Sequence, residues 1–255
     1  MEIYVMQFVV FLMLLARTTS MIVTAPILGH QAVPLQVKVA LGIFLAFVLF
    51  PLQSSLAAKI DIEFIGIVVL VLEEVIVGTM IGFAAGLIFA GIRFAGDLIG
   101  FDMGFSLAST FDPESNASVQ VIGEMLYTMT ALVFILLNGH HFLLQALQLS
   151  YVTVPIGQLS MSAVLSDRFV SLAGMIFVVA VKFAAPVIVA LFLTNIALAI
   201  LTRLMPQMNI FGVAFPLKIG VGLVAVSTSI PLMVYVFKKL LVVFENNLLD
   251  LVKAM

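Results

Sequence analysis

Residues 169–202 read FVSLAGMIFVVAVKFAAPVIVALFLTNIALAILT and contain a single charged side chain, Lys182. A helix needs roughly 20 mostly apolar residues to cross the hydrocarbon core of a bilayer. This stretch exceeds that length, and its charge lies well inside it. It therefore predicts a membrane-spanning helix with a polar interruption.

Other parts of the chain are comparably apolar, and the composition agrees with them. Hydrophobic residues make up 64% of the chain and charged residues 9%, against about 45–50% and about 25% in soluble domains. The hydropathy criterion predicts an all-α membrane protein with about six broken apolar helices. The remaining stretches are residues 3–28, 39–58, 62–92, 125–166 and 208–244.

Many of these stretches carry a charge, a proline or a glycine near their middle. A broken helix at membrane depth is tolerated only where protein or water covers the freed backbone groups. We therefore expect much of the chain to be buried against protein rather than lipid. Glycines spaced four apart at Gly78, Gly82 and Gly86 allow close helix packing, which we interpret as packing within the chain.

Several charges interrupt or border the apolar stretches. A charge at the centre of a membrane helix costs about 2.5–3.5 kcal/mol on insertion scales, so it normally faces a partner or a water-filled cavity. The pattern indicates either an ion or proton pathway or a set of pairs between helices, and we favour the pairs. The residues are Arg17, Glu73, Glu74, Lys182, Arg203 and Lys218.

The segment from Gly100 to Pro113 mixes glycines, bulky apolar side chains and an Asp-Pro turn signal. Such a segment suits a re-entrant loop that closes a passage, because hydrophobic constrictions gate pores. A plain connection between helices fits the same composition equally well. The candidate residues are Gly100, Met103, Gly104, Phe105, Ser106, Phe111, Asp112 and Pro113.

Other function classes find little support. Cysteine is absent, which excludes disulfides and thiolate metal sites, and no basic patch indicates nucleic-acid binding. Adjacent residues such as His140 and His141 point to different sides of a helix, so they do not predict a metal site. We expect no enzyme activity and no cofactor. Lys238, Lys239 and Lys253 predict a cytoplasmic C-terminus.

Short motifs in a fixed order carry a family resemblance over nearly the whole chain. They are Arg17-Thr-Thr-Ser with Pro26, Glu73-Glu74 before Gly78 and Gly82, Gly96-x3-Gly100-x3-Gly104 with Asp112-Pro113, Asn138-Gly139-His140, Pro155-Ile156-Gly157, Ala185-Pro186, Asn195, Arg203-Leu-Met-Pro206-Gln-Met-Asn209 and Pro216-Leu-Lys218. In this order they resemble the FliR family of the flagellar type III export gate and its injectisome counterparts.

The resemblance implies a hetero-oligomer in the bacterial inner membrane, within the flagellar basal body. One copy of this chain would join FliP-like and FliQ-like subunits, with an FlhB-like protein at the cytoplasmic mouth and unfolded flagellar proteins as transient substrates. Residues 1–165 would resemble a FliP subunit and residues 166–255 a FliQ helical hairpin.

The resemblance also implies roles for the candidate residues. The Gly100–Asp112 loop would be a plug, with apolar bulk from Met103, Phe105 and Phe111 and movement permitted by Gly100 and Gly104. Charged and motif residues would pack against other subunits. They are Arg17, Glu73, Glu74, Lys182, Arg203, Pro206, Asn209 and Lys218.

Three rival interpretations remain open from the sequence. A proton- or ion-coupled secondary transporter would use Glu73, Glu74 and Lys182 as coupling groups, and it predicts inverted internal repeats. An intramembrane enzyme would need a nucleophile with a base, or a metal. A structural subunit without a gate differs from the export-gate interpretation only at the loop.

Overall fold

The computed structural model describes residues 2–53, 64–105, 121–159, 163–207 and 209–255. The regular elements within these ranges are all helices, as the composition predicts. They are α1 (Glu2–Thr24), α2 (Leu35–Gln53), α3 (Phe64–Met103), α4 (Val121–Leu136), α5 (Gly139–Thr153), α6 (Ala163–Leu204) and α7 (Ile210–Ala254).

The described helices include four or five candidate membrane spans, and the predicted count of about six broken apolar helices is not confirmed. Four described helices are long and apolar enough to cross a membrane, namely α1, α3, α6 and α7, and α4 with α5 makes a fifth if the bent pair counts as one span. The apolar part of α2, Leu35–Pro51, is too short. The apolar stretch 125–166 is divided because Asn138 adopts a left-handed conformation (φ 58°), and α4 and α5 meet there at 71°.

Contacts divide the chain into two compact units that alternate along the sequence. The first unit contains Met1–Leu87, Asn138–Ala173 and Phe244–Met255, and the second contains Ile88–Leu137 and Gly174–Val243. These units are defined by internal contacts, whereas the predicted division near residue 165 was drawn from likeness to other subunits. That division stays a prediction.

Close packing of α1 against α3 forms the first unit's core. A side chain at Gly78 would overlap the carbonyl of Arg17, and one at Gly82 would overlap the carbonyl of Met21. Glycine is therefore required at both positions, because the two backbones approach each other directly. The prediction that these glycines pack within the chain is confirmed.

The core of the second unit is aromatic. The ring of Phe89 lies 5.7 Å from that of Tyr127, 5.3 Å from Phe134 and 6.3 Å from Phe237, with edge-to-face geometry in each pair. Rings in this arrangement add about 0.5–1.5 kcal/mol per pair beyond the area that they bury. The cluster ties the second half of α3 to α4 and α7.

Candidate functional site

A buried ion pair joins α1 to α3 in the first unit. Arg17 is completely buried, and its Nε donates to Glu74 Oε2 at 2.6 Å while its Nη2 donates to Oε1 at 3.0 Å. Glu74 is 1% exposed. Two parallel hydrogen bonds between a guanidinium and a carboxylate fix both side chains in one plane.

Backbone groups at the end of α5 complete this cluster. Arg17 Nη1 donates to the carbonyl of Ser150 at 3.0 Å, and Nη1 and Nη2 both donate to that of Val154 at 3.1 Å. The guanidinium carbon lies 4.4 Å from the centre of the Tyr151 ring. The Gly157 N–H donates to Glu74 Oε1 at 3.2 Å. All three guanidinium nitrogens of Arg17 therefore donate hydrogen bonds within its own chain.

The charge of Arg17 is paired within its own chain. Its side chain has no exposed surface, and its partners are Glu74, Ser150 and Val154. The contact with another subunit that the resemblance implies stays a prediction. Burying a charge is costly unless it is paired, and pairing is complete here. For Arg17 and Glu74, the interpretation as a pair between helices is confirmed.

Glu73, the neighbour of Glu74, is in a different situation. Glu73 as a whole is half-buried. Its Oε2 atom, however, is buried and has no hydrogen-bond partner among the described residues. A role for Glu73 in contacts between subunits stays a prediction.

The predicted plug begins as helix. Gly100 to Met103 form the last turn of α3, and the remainder of the candidate loop follows from Gly104. Met103 is completely buried, and a side chain added at Gly222 of α7 would lie 2.6 Å from the Met103 methyl carbon. The start of the candidate loop is thus packed against α7. Ser106, Phe111, Asp112 and Pro113 lie outside the described residues.

Gly104 has a backbone conformation that favours glycine. Its φ of 92° lies in a region that residues with side chains rarely adopt. A Cβ atom at this position would also lie 3.1 Å from the ring of Phe215. Phe105 follows it and is half-buried. Glycine is therefore needed at 104 for its conformation and for the space it leaves.

A second ion pair joins α3 to α4, the helices on either side of the candidate loop, and little in the sequence indicates it. Arg93 of α3 contacts Glu124 of α4 at 3.0 Å, and its guanidinium carbon lies 4.5 Å from the centre of the Tyr127 ring. Gly96 and Gly123 bring the two backbones into direct contact. The sequence showed only a lone basic residue among acidic ones, which does not identify its partner.

The remaining candidates lie on α6, α7 and the turn between them. Lys182 is exposed near the middle of α6, and Arg203 is exposed in its last turn. Pro206 and Asn209 are exposed in the turn, whereas Lys218 is half-buried in α7. Across the described residues, no three His, Cys, Asp or Glu side chains are grouped as metal ligands would be.

Comparison with known proteins gives matches that cover most of the chain. Residues 8–243 match the sequence profile of a family described as bacterial export proteins, family 1. Three similar proteins carry the name flagellar biosynthetic protein FliR. The one from Bacillus subtilis (strain 168) is 32% identical over 222 residues, which are 85% of this chain and 84% of the relative.

The other two relatives give similar values. The protein from Escherichia coli (strain K12) is 31% identical over 244 residues, which are 94% of this chain and 92% of the relative. The protein from Pectobacterium carotovorum is 33% identical over 222 residues, covering 85% of this chain and 82% of the relative. The similarity is therefore spread over the helices described above and is not confined to one motif.

Proposed function

The chain belongs to family 1 of the bacterial export proteins, and we propose that it is a subunit of the core export gate of the flagellar type III secretion apparatus. The observation that carries this proposal is the similarity to relatives named flagellar biosynthetic protein FliR. The matched residues cover most of this chain and most of each relative. The gate would reside in the bacterial inner membrane, with the C-terminus of this chain in the cytoplasm.

We further propose the composition of the gate. One copy of this chain would join FliP-like and FliQ-like subunits around a channel, and an FlhB-like protein would lie at its cytoplasmic mouth. Unfolded flagellar proteins would pass through as substrates. This chain would form part of the wall of the channel and would not supply the energy for transport.

The uncovered apolar surface supports an assembly of this kind. In the most apolar part of α6, only 33% is buried within the chain. In the corresponding part of α7, only 22% is buried. At about 1.5 Å per residue these helices are about 63 Å and about 68 Å long, roughly twice the thickness of the hydrocarbon core. Lipid can cover only part of such helices, so neighbouring proteins would cover the rest.

The transporter alternative loses one of its coupling groups. A coupling carboxylate must be able to bind and release an ion or a proton, and Glu74 is held by Arg17 and by the Gly157 N–H. Such a saturated pair acts as a structural element. The geometry therefore favours the export-gate proposal over an ion-coupled transporter.

The proposal is tested by purifying the tagged chain in mild detergent after co-expression with its chromosomal neighbours, followed by native mass spectrometry. We expect a discrete complex with one copy of this chain and several copies of two other small membrane proteins. A monomer or homodimer, with the neighbours present but unbound, would refute the proposal.

The plug is tested separately in the assembled gate. Replacing Phe105 and Phe111 together by Ala removes two bulky apolar side chains, so we expect a raised ion leakage through the closed gate. Phe47, exposed on α2 and outside the proposed plug, serves as the matched control when it is replaced by Ala. Leakage that stays unchanged in the double variant would remove the plug role from these residues.

A further inference from the structure

A buried hydrogen-bond donor and a buried acceptor on α3 are both left unpaired beside an ion pair. Arg93 Nη2 contacts Glu124 of α4, at 3.0 Å from Oε1 and 3.3 Å from Oε2. Arg93 Nε is buried and has no hydrogen-bond partner among the described residues, and the same holds for Asp97 Oδ1. Leaving both atoms unpaired is unfavourable, although one is a donor and the other an acceptor.

Spacing and packing bring Asp97 within reach of Arg93. The two residues are four apart on α3, so their side chains lie one turn apart on the same face of the helix. A Cβ atom built on Gly123 would lie 2.9 Å from Asp97 Oδ1 and 3.5 Å from Arg93 Cγ. Both side chains therefore border this glycine, and Glu124 is the next residue. Arg93 has two carboxylates near it and contacts one of them.

The two possible pairings of Arg93 are closely balanced. Its side chain is 37% exposed and that of Glu124 is 47% exposed, and a partly exposed ion pair contributes little stability. Moving to Asp97 would give up the contact with the Tyr127 ring, whose centre lies 4.5 Å from the guanidinium carbon. The move would also pair the two buried atoms that now lack partners. Neither pairing satisfies every group, as expected of two states that are close in free energy.

The backbone contact next to this group leaves α4 able to turn on α3. A Cβ atom built on Gly96 would overlap the Cα of Gly123. Small residues let two helix backbones approach closely, and here no side chains interlock between them. Rotation about this point therefore meets little steric resistance, so the pairing of Arg93 can bias the angle between the two helices.

The Arg93 group lies where the candidate plug joins the fold. Helix α3 ends at Met103 and α4 begins at Val121, so residues 104–120 link the two helices. Arg93 and Asp97 belong to α3, whereas Glu124 is in the first turn of α4. A change in the angle between the helices changes the separation of the two ends of this link.

We propose that Arg93 is a two-position switch, which pairs with Glu124 when the candidate plug is closed and with Asp97 when the plug opens. This inference rests on the proposed function, in which the segment from Gly100 to Pro113 closes a channel. Pairing with Glu124 holds the start of α4 against α3. Pairing with Asp97 is contained within α3 and releases α4, so the guanidinium group is the part that moves.

The first experiment measures ion leakage through the purified, assembled gate in planar bilayers. Glu124→Gln removes the partner of the closed arrangement, so we expect leakage to rise about twofold to fivefold, the factor that one partly exposed ion pair contributes to an equilibrium. Adding Asp97→Asn removes the partner of the open arrangement as well. The double variant should therefore return to within about twofold of the unmodified gate. Two carboxylates with merely structural roles would instead give leakage that increases with the second replacement.

Asp250→Asn is the matched control, because it makes the same chemical change as Asp97→Asn at an exposed position of α7. Combined with Glu124→Gln, it should leave the raised leakage unchanged. Leakage is expressed per amount of recovered complex, so that poor assembly is not mistaken for closure.

The outcomes separate the inference from the proposed function. Leakage that Glu124→Gln does not raise, or that Asp97→Asn does not reduce again, overturns the switch. If replacing Phe105 and Phe111 by Ala raises leakage in the same preparation, the plug stands without the switch. An unmodified chain that recovers no neighbouring subunits overturns the proposed function instead.

Denaturant titration of the purified full chain in detergent micelles tests the exchange without a gate. In the natural background Arg93 does not contact Asp97, so Asp97→Asn should change the unfolding equilibrium constant by less than about twofold. In the Glu124→Gln background Arg93 pairs with Asp97, so the same replacement should raise that constant about twofold to fivefold. Equal effects of Asp97→Asn in the two backgrounds would overturn the inference.

Discussion

Arg17 and Lys182 are both basic residues inside long apolar helices, yet the chain treats them in opposite ways. Arg17 is completely buried, paired with Glu74 and bonded to carbonyls at the end of α5. Lys182 is exposed with no partner among the described residues. The first charge is paired within its own unit, whereas the second has no pair among the described residues.

This difference separates folding from assembly. Around Arg17, α3 and the end of α5 supply the hydrogen-bond partners of the guanidinium, so its charge is compensated within the first unit. Around Lys182, the outward face of α6 is as apolar as its inward face, with Phe177 63% exposed and Phe183 1% exposed. An outward face of this kind is expected of a subunit whose neighbours complete its burial.

The largest expected effect comes from breaking the buried pair. Replacing Arg17 by Met leaves Glu74 buried without its counter-charge, which should lower the free energy of unfolding of the full chain by about 3–5 kcal/mol. Denaturant titration of the purified chain in detergent micelles measures this loss. Lys182→Met is the matched control and should change the value by less than about 0.5 kcal/mol, since no partner in the chain is lost.

The double replacement sharpens the result. Removing both charges, with Arg17→Met and Glu74→Met, should recover much of the stability, because no unpaired charge then stays buried. The recovery measures the coupling between the two side chains. Equal losses in both single variants and the double variant, with no recovery, would contradict the assignment of Arg17 and Glu74 as one unit.

Sequence reasoning identified the class of this protein and the charged residues that interrupt its apolar helices, but not the partners of those residues. Apolar length and composition predicted helices and membrane spans, because those depend on local content alone. The glycines at 78 and 82 were correctly expected to allow close packing. By contrast, Arg17 and Lys182 interrupt apolar runs in the same way. Nothing near either residue shows which has a carboxylate across the bundle, since Glu74 lies 57 residues away.

The sharp bend between α4 and α5 could not be predicted from the apolar pattern, for a related reason. Hydropathy sums over residues and does not register a single backbone turn, so the left-handed conformation of Asn138 (φ 58°) was invisible to it. Asn tolerates that conformation because its short side chain can bond locally. The Asn-Gly pair did mark a polar break, but it gave no angle between α4 and α5.

The next largest effect should come from filling the α1–α3 contact. A Cβ at Gly78 would overlap the Arg17 carbonyl and the Ser20 hydroxyl, so Gly78→Ala should lower the free energy of unfolding by about 1–3 kcal/mol. Gly220→Ala is the matched control, since no atom of the chain lies within 4 Å of the Cβ it adds.

The control variant Gly220→Ala also tests whether the outward face of α7 is packed within the chain. In the isolated chain, Gly220→Ala should be neutral or stabilise α7 by up to about 1 kcal/mol through helix propensity. A loss of stability there, as large as at Gly78, would show that the outward face is already packed within the chain. A loss confined to the co-purified complex would instead agree with a neighbour at that face.

A smaller effect is expected at the start of the candidate plug. Gly104→Ala forces a side chain into a φ of 92°, at a cost of about 1–2 kcal/mol, and pushes the added methyl against Phe215. Circular-dichroism melts of the full chain measure the effect, with Gly212→Ala as the control because open space surrounds it. An unchanged melting temperature would show that Gly104 readily leaves this conformation.

The smallest effect is expected at the second ion pair, which lies between the two extremes. The side chains of Arg93 and Glu124 are 37% and 47% exposed, so Glu124→Gln should lower the free energy of unfolding by no more than about 1 kcal/mol. Denaturant titration of the full chain beside Arg17→Met provides the scale. A loss as large as that of Arg17→Met would mean that exposure does not determine how strongly this chain depends on a charge. A loss that appears only in the assembled complex would show that the Arg93–Glu124 pair contributes to assembly and not to the folding of the chain.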